Sequence, residues 1–205
     1  MARDRSSIVK MSRREGYALH PKAHKALVRR STPPGQQAAN ARPTKPSQYA
    51  LQLREKQKVK RLYGLLERQF SNLMKEANQR TGQSGEILLQ LLELRADNVV
   101  YRAGFAPSRR ASRQLVTHGH FMLNDRRVDI PSIQLKPSDS LKFRPHSLSS
   151  DYFKRLDDNS PAPATVPGWI KVNRKKGEVS IVSLPTREDA EQDINEQLIV
   201  EYYSR

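Results

Sequence analysis

Apolar side chains recur at helical spacing as far as Gly119 and, beyond it, in short alternating runs parted by turn residues. A chain that switches period in this way folds as α+β, with helices and strands segregated along the sequence. Tyr49, Leu53, Val59, Leu62 and Tyr63, interleaved with Arg54, Lys56, Lys58, Lys60 and Arg61, predict a strongly basic helix from near Ser47 to Gly64. Leu66, Phe70, Leu73, Met74 and Ala77 form the stripe of a second, closed by Thr81 and Gly82. A third is expected to start at a Ser84 cap and run through Ile87, Leu88, Leu91, Leu92, Val99 and Val100 towards Gly104. A short fourth opens near Ser108, after Pro107, and stops before Gly119. Strands are expected over 121–123 and 127–130, joined by a turn at Asn124 and Asp125, then around Leu135 and over 141–143. Two more, 169–172 and 178–184, flank a polar turn that ends in Gly177.

Residues 1–47 mix Arg and Lys with Pro, Gly, Ser and Ala and carry few large apolar side chains, so they cannot build a core alone. This stretch reads either as a disordered tail or as a segment that orders on a partner. Residues 157–168, with Pro161, Pro163 and Pro167, read as a loop. The closing stretch from Asn195 is too short to assign to helix or strand, but its apolar content says that it docks.

Charge narrows the partner. The 205 residues carry 37 Lys and Arg against 21 Asp and Glu, a net +16, which would repel itself without a polyanion nearby. Residues 1–80 alone hold 19 basic and 5 acidic side chains, whereas residues 159–205 hold 6 and 7. No apolar run reaches the roughly 20 residues needed to span a bilayer, and the first residues have no apolar signal core. With no Cys there is neither a disulfide framework nor a thiolate metal site.

At 100° per residue, Arg109, Arg110, Arg113, Gln114 and Thr117 share one arc of the fourth helix, and Ala111 and Leu115 lie opposite. A charge run is ordinarily a solvated face. Here an apolar opposite face and an immediate turn predict an outward Arg arc on a fixed scaffold, suited to bidentate phosphate contacts. Exchanging all three Arg for Gln is then expected to spare the fold. Other constellations are weaker. Ser108, His118 and Asp97 could be drawn as a triad, but no nucleophile-elbow glycines surround the Ser. His20 and His24 stand at i and i+4 without carboxylate or thiolate companions, as ordinary surface residues do. There is no Gly-rich phosphate loop, so neither a cofactor nor a small-molecule substrate is expected.

The stretch LELRADNVVYRAGFAPSRRASRQLVTHGHFMLNDRRVDIPS, residues 92–132, resembles the S-four RNA-binding domain. Arg95, Asp97 and Asn98, Tyr101 with Arg102, Gly104 with Phe105, Ser108 with Arg109, Arg113 to Val116, and His118 to His120 stand in that family's order. The flanks SRREG (12–16), PPGQ (33–36), LREKQKVKRLYG (53–64), LERQF (66–70) and NEQLIVEYYSR (195–205) extend the resemblance to small-subunit ribosomal proteins of the S-four family, bacterial or organellar in type. The resemblance implies a basic extension over 1–47, a helical domain over 48–92 to which 186–205 return, and an S-four domain over 93–185. It also implies primary binding to 16S-type ribosomal RNA at a junction in the 5′ domain, which nucleates assembly of the small subunit, and a share in translational accuracy. The place implied is the 30S subunit, cytoplasmic or in an organelle, beside ribosomal protein S-five and the channel that admits messenger RNA.

The residues expected to meet RNA are Arg13, Arg14, Arg54, Lys56, Lys58, Lys60, Arg61 and Arg68, then Arg95, Arg102, Ser108, Arg109, Arg110, Arg113, Gln114, His118, His120 and Asn124. Arg42 and Lys45 fall where the family faces incoming messenger. Many members carry four metal-binding Cys near the start. Val9, Ser12, His20 and Lys25 stand near those places here, and no metal is expected. Asp125 replaces a turn Gly, which a hairpin tolerates. The rival reading is an RNA-modifying enzyme that borrows the same domain. It would need a separate catalytic domain with an Asp in a substrate cleft, for which the remaining residues leave no room.

Overall fold

The structure, a computed structural model, describes residues 4, 6–35, 45–163 and 165–204. It divides into two compact units, one reaching to Leu88 and resuming at Asp193, the other Leu89–Gln192.

The first unit is helical: α1 (Ile8–Glu15), α2 (Pro21–Arg29), α3 (Gln48–Leu62), α4 (Glu67–Gln79), the start of α5 (Ser84–Glu93), and α11 (Glu196–Tyr203). Ser47 caps α3 by accepting from the Ala50 N–H, which satisfies one of the donors every helix start leaves unpaired. The core gathers Val59, Leu62, Phe70, Met74, Ala77 and Ile199, all with almost no exposure. The closing stretch, unassigned from sequence, is the helix α11 packed along α3. Gly85 lets α11 also come close to the start of α5, since a Cβ there would lie 2.7 Å from the Glu196 Cγ. For the described residues, the two readings of the first stretch, a disordered tail or a segment that orders on a partner, are corrected. α1 and α2 bury Met11, Leu19 and Ala23, the buried Ser12 hydroxyl accepts from the Leu19 N–H, and α1 packs on α3. Composition misses this because the covering surface belongs to another helix.

The second unit holds the end of α5, then α6 (Ala96–Arg102), α7 (Arg109–Thr117), β1 (Phe121–Leu123), β2 (Arg126–Val128) and β3 (Ser140–Phe143). Three single-turn helices follow, α8 (Pro145–Leu148), α9 (Asp151–Lys154) and α10 (Leu156–Asn159), and then β4 (Ile170–Asn173), β5 (Glu178–Ile181) and a 3-10 turn over Arg187–Asp189. The five strands form one antiparallel sheet in the order β2-β1-β3-β5-β4, with Phe121 opposite both Val128 and Phe143, and Leu141 opposite Val179. Period-two alternation turns these side chains to one face, where they meet Val100, Phe105, Val116, Phe153 and Trp169 in the core.

The expected third helix is two helices. Arg95 leaves the helical region and bridges Gln134, while the Leu94 carbonyl accepts from the Leu135 N–H and the Ile133 carbonyl from the Ala96 N–H. The backbone of 131–135 supplies the hydrogen bonds that a continuous helix would have made for itself. The hairpin turn is as expected, with Asn124 and Asp125 both left-handed at φ 47° and 64°. The loop read over 157–168 begins instead within α10, and α8 and α9 lie in a stretch where no helix is predicted.

Candidate nucleic-acid interface

At the break between α5 and α6 four guanidinium groups and three carboxylates interlock. Arg95 is buried and grips Asp97 through two bonds, Nε to Oδ1 at 3.1 Å and Nη2 to Oδ2 at 3.0 Å. Arg113, from α7, reaches the same Oδ2 at 2.9 Å. Glu93, whose side chain is 1% exposed, takes Arg102 bidentately at 2.9 and 2.7 Å and also accepts from the Asn98 amide at 2.7 Å. Asn98 in turn accepts from Arg109 Nε at 2.9 Å, and the Arg109 guanidinium lies 4.6 Å from the centre of the Tyr101 ring. Glu191 closes the set, 3.0 Å from Arg109 Nη2 and 3.6 Å from Arg102 Nη2. Charge-assisted pairs satisfied on this scale fix the two helices against each other.

This corrects the expected outward arc on α7. The buried residues of that helix are Ser112 and Val116, and Ala111 and Leu115 are only partly covered. Arg109 and Arg113 are largely enclosed because acidic partners wait on α6 and in the segment after the 3-10 turn. Arg110, Gln114, Thr117 and His118 form the exposed face. Ser108 is buried and caps α7 through the Ala111 N–H. His120 also turns inward, its Nδ1 3.0 Å from the Ser147 hydroxyl and its ring 5.4 Å from that of Phe153. Burial lowers its pKa, with the neighbouring His118 and Arg144 adding to the effect. Asn124 is exposed but bonded to Asp139 and to the Ser140 N–H.

Arg126 and Arg127 were not foreseen. Both are exposed on the edge strand β2, and Arg127 lies so close to Gly119 that a Cβ there would come within 2.7 Å of its Nε. With φ at +71°, Gly119 brings the α7–β1 turn against that guanidinium. The adjacent Arg pair was visible in the sequence, but the position of Arg127 against Gly119 depends on strand pairing.

In the first unit, internal pairing takes up most of the basic side chains on α3. Lys56 is buried, 2.7 Å from Glu67 and 4.4 Å from the centre of the Tyr202 ring. Lys60 also reaches Glu67, Lys58 pairs with Glu55 and donates to the Asp193 carbonyl, and Arg61 pairs with Glu15. Arg54 is exposed, 3.4 Å from the same Glu15. Burial raises the Glu15 pKa against the pull of Arg61 and Arg54. Arg13 donates to the Thr32 and Pro33 carbonyls; Arg14, Lys45 and Arg68 are exposed, and Arg42 lies outside the described residues. Among the described residues no group of three His, Asp or Glu could hold a metal, and no helix is long and apolar enough to cross a membrane.

Residues 3–93 match the family described as the ribosomal protein S4/S9 N-terminal domain, and residues 94–141 match the S4 domain. Over 206 residues, covering both chains in full, the protein is 50% identical to small ribosomal subunit protein uS4 of Pelodictyon phaeoclathratiforme and of Chloroflexus aurantiacus. The corresponding protein of Chlorobaculum tepidum is 48% identical over the same span. A helical first unit followed by an α6–α7 pair on a small antiparallel sheet is the architecture that both domain matches require, and this chain belongs to the S4 family of ribosomal proteins.

Proposed function

We propose that the protein is a structural constituent of the small ribosomal subunit that binds 16S-type ribosomal RNA directly and has no catalytic role. One observation carries the RNA surface: the exposed Arg110 and Gln114, with His118 at the C-terminal end, stand on a helix whose other Arg side chains lock it to α6, Arg109 through Asn98 and Arg113 through Asp97. Charge on a fixed scaffold meets phosphates without first losing side-chain and helix freedom. Arg127, against the turn that ends α7, extends that face, and Arg14, Arg54 and Arg68 present charge from the helical unit. Arg95, Arg113 and Ser108 position it from within, as Lys56, Lys58, Lys60 and Arg61 do in the first unit, and Arg102 and Arg109 are anchored on Glu93 and Asn98.

The finer reading follows the family resemblance. The RNA site is a helical junction in the 5′ domain, held by shape and charge more than by base identity, so that early binding nucleates assembly. Ribosomal protein S-five is the neighbour, Lys45 faces messenger RNA, accuracy of decoding is shared between them, and the compartment is the cytoplasm. Binding to protein-free small-subunit RNA should weaken log-linearly with salt, and Arg110→Gln combined with Arg127→Gln should cost about tenfold or more in affinity. Affinity that holds steady across a fivefold rise in salt overturns the reading.

A further inference from the structure

We infer that Glu191 occupies a phosphate site: its carboxylate stands in, within the RNA-free protein, for a backbone phosphate that lodges between Arg102 and Arg109 when RNA binds. This rests on the RNA-binding reading and adds to it a particular site and a displacement.

The geometry distinguishes Glu191 from its neighbours. Two guanidinium Nη2 groups converge on a single Glu191 oxygen, at 3.0 Å from Arg109 and 3.6 Å from Arg102. Glu93 and Asp97 instead hold Arg102 and Arg95 through paired bonds, with side chains 1% and 6% exposed against 28% for Glu191. Glu191 sits on an irregular segment between the 3-10 turn and α11, where departure breaks no helix or strand. Both Arg side chains keep anchors without it, Arg102 on Glu93 and Arg109 on Asn98 and the Tyr101 ring. The fork therefore survives the loss of its carboxylate. Arg95, Arg102, Arg109 and Arg113 outnumber Glu93, Asp97 and Glu191 by one charge, and removing Glu191 makes the excess two. A phosphodiester, with one negative charge and two free oxygens, restores the balance and can accept from both guanidinium groups at once. A tethered carboxylate that must first leave acts as an intramolecular competitor, so apparent affinity is lower than the fork alone would give.

The test uses the full chain and protein-free small-subunit ribosomal RNA at fixed salt. Glu191→Gln should bind roughly three- to tenfold more tightly than wild type. Glu188→Gln, which removes the same charge from an exposed position three residues away, should stay within about twofold. Amide hydrogen exchange of the wild type over 187–195 should rise when RNA is added, a readout that needs no variant to fold. Binding of Glu191→Gln that is equal to or weaker than wild type, or protection of 187–195 by RNA, overturns the inference and leaves RNA binding standing. If the wild type itself shows no salt-dependent binding, the functional reading falls and this one with it.

Discussion

Asp97 shows how much one residue holds together. It accepts from Arg95, a guanidinium with almost no exposure, and from Arg113 across the α6–α7 interface. Asp97→Ala leaves a buried charge without its counterion and should destabilise the protein by about 3–5 kcal/mol, measured by urea unfolding. Arg110→Gln, on the exposed face of the next helix, should cost far less, about 1 kcal/mol at most. A result in which both variants unfold alike would mean that the interlocked pairs contribute nothing. It also follows that exchanging Arg109, Arg110 and Arg113 together for Gln should not spare the fold, contrary to what helical phase alone suggests. Ser108 and the Asn124–Asp125 turn were legible because a cap and a tight turn are decided within four residues. The partners of Arg109 and Arg113 were not, since Glu191 is 82 residues away and Asp97 sixteen.

Between elements, α3, α4 and α11 meet at Glu67. Burial opposes its ionised form, but hydrogen bonds from Lys56, Lys60 and Tyr203 outweigh that and hold its pKa at about 2, below the usual 4.5. Burial, with the bond to Glu67, pushes the Tyr203 phenol well above its ordinary value. A depressed carboxylate stabilises the folded state above its unfolded pKa and loses that contribution as pH falls through the folded one. Glu67→Gln should therefore melt below wild type at pH 7, and the gap should narrow from pH 4.5 down towards about 2. A gap that is constant across that window would assign the loss to packing instead. The basic helix α3 was legible from its period, but its face was not. Lys56 counts as surface charge in a sequence and is buried here only because Glu67, Tyr202 and Tyr203 converge on it. The break at Arg95 escaped for a similar reason, since the strand-like partner comes from 131–135.

At the scale of the molecule, the net +16 and the change of period pointed to partner and fold class, because both are sums over many residues and survive local error. The start of the chain was less legible, as its order is borrowed from α3. At two of the positions where the family resemblance suggests metal-binding Cys, Ser12 accepts from the Leu19 N–H and His20 from the Lys22 N–H, and Met11, Leu19 and Ala23 nearby in the chain are buried. A chelator should accordingly leave the melting temperature unchanged; a fall of several degrees on adding it would show a bound metal. The arrangement of units also sets an order of events during synthesis. All the residues of the sheet unit, Leu89–Gln192, leave the ribosome that makes the chain before α11 does, whereas the helical unit needs α11 to cover Lys56 and to bond Gln52 through Glu201. In a nascent chain the middle of the sequence can close on itself first, and the part made earliest waits for the part made last.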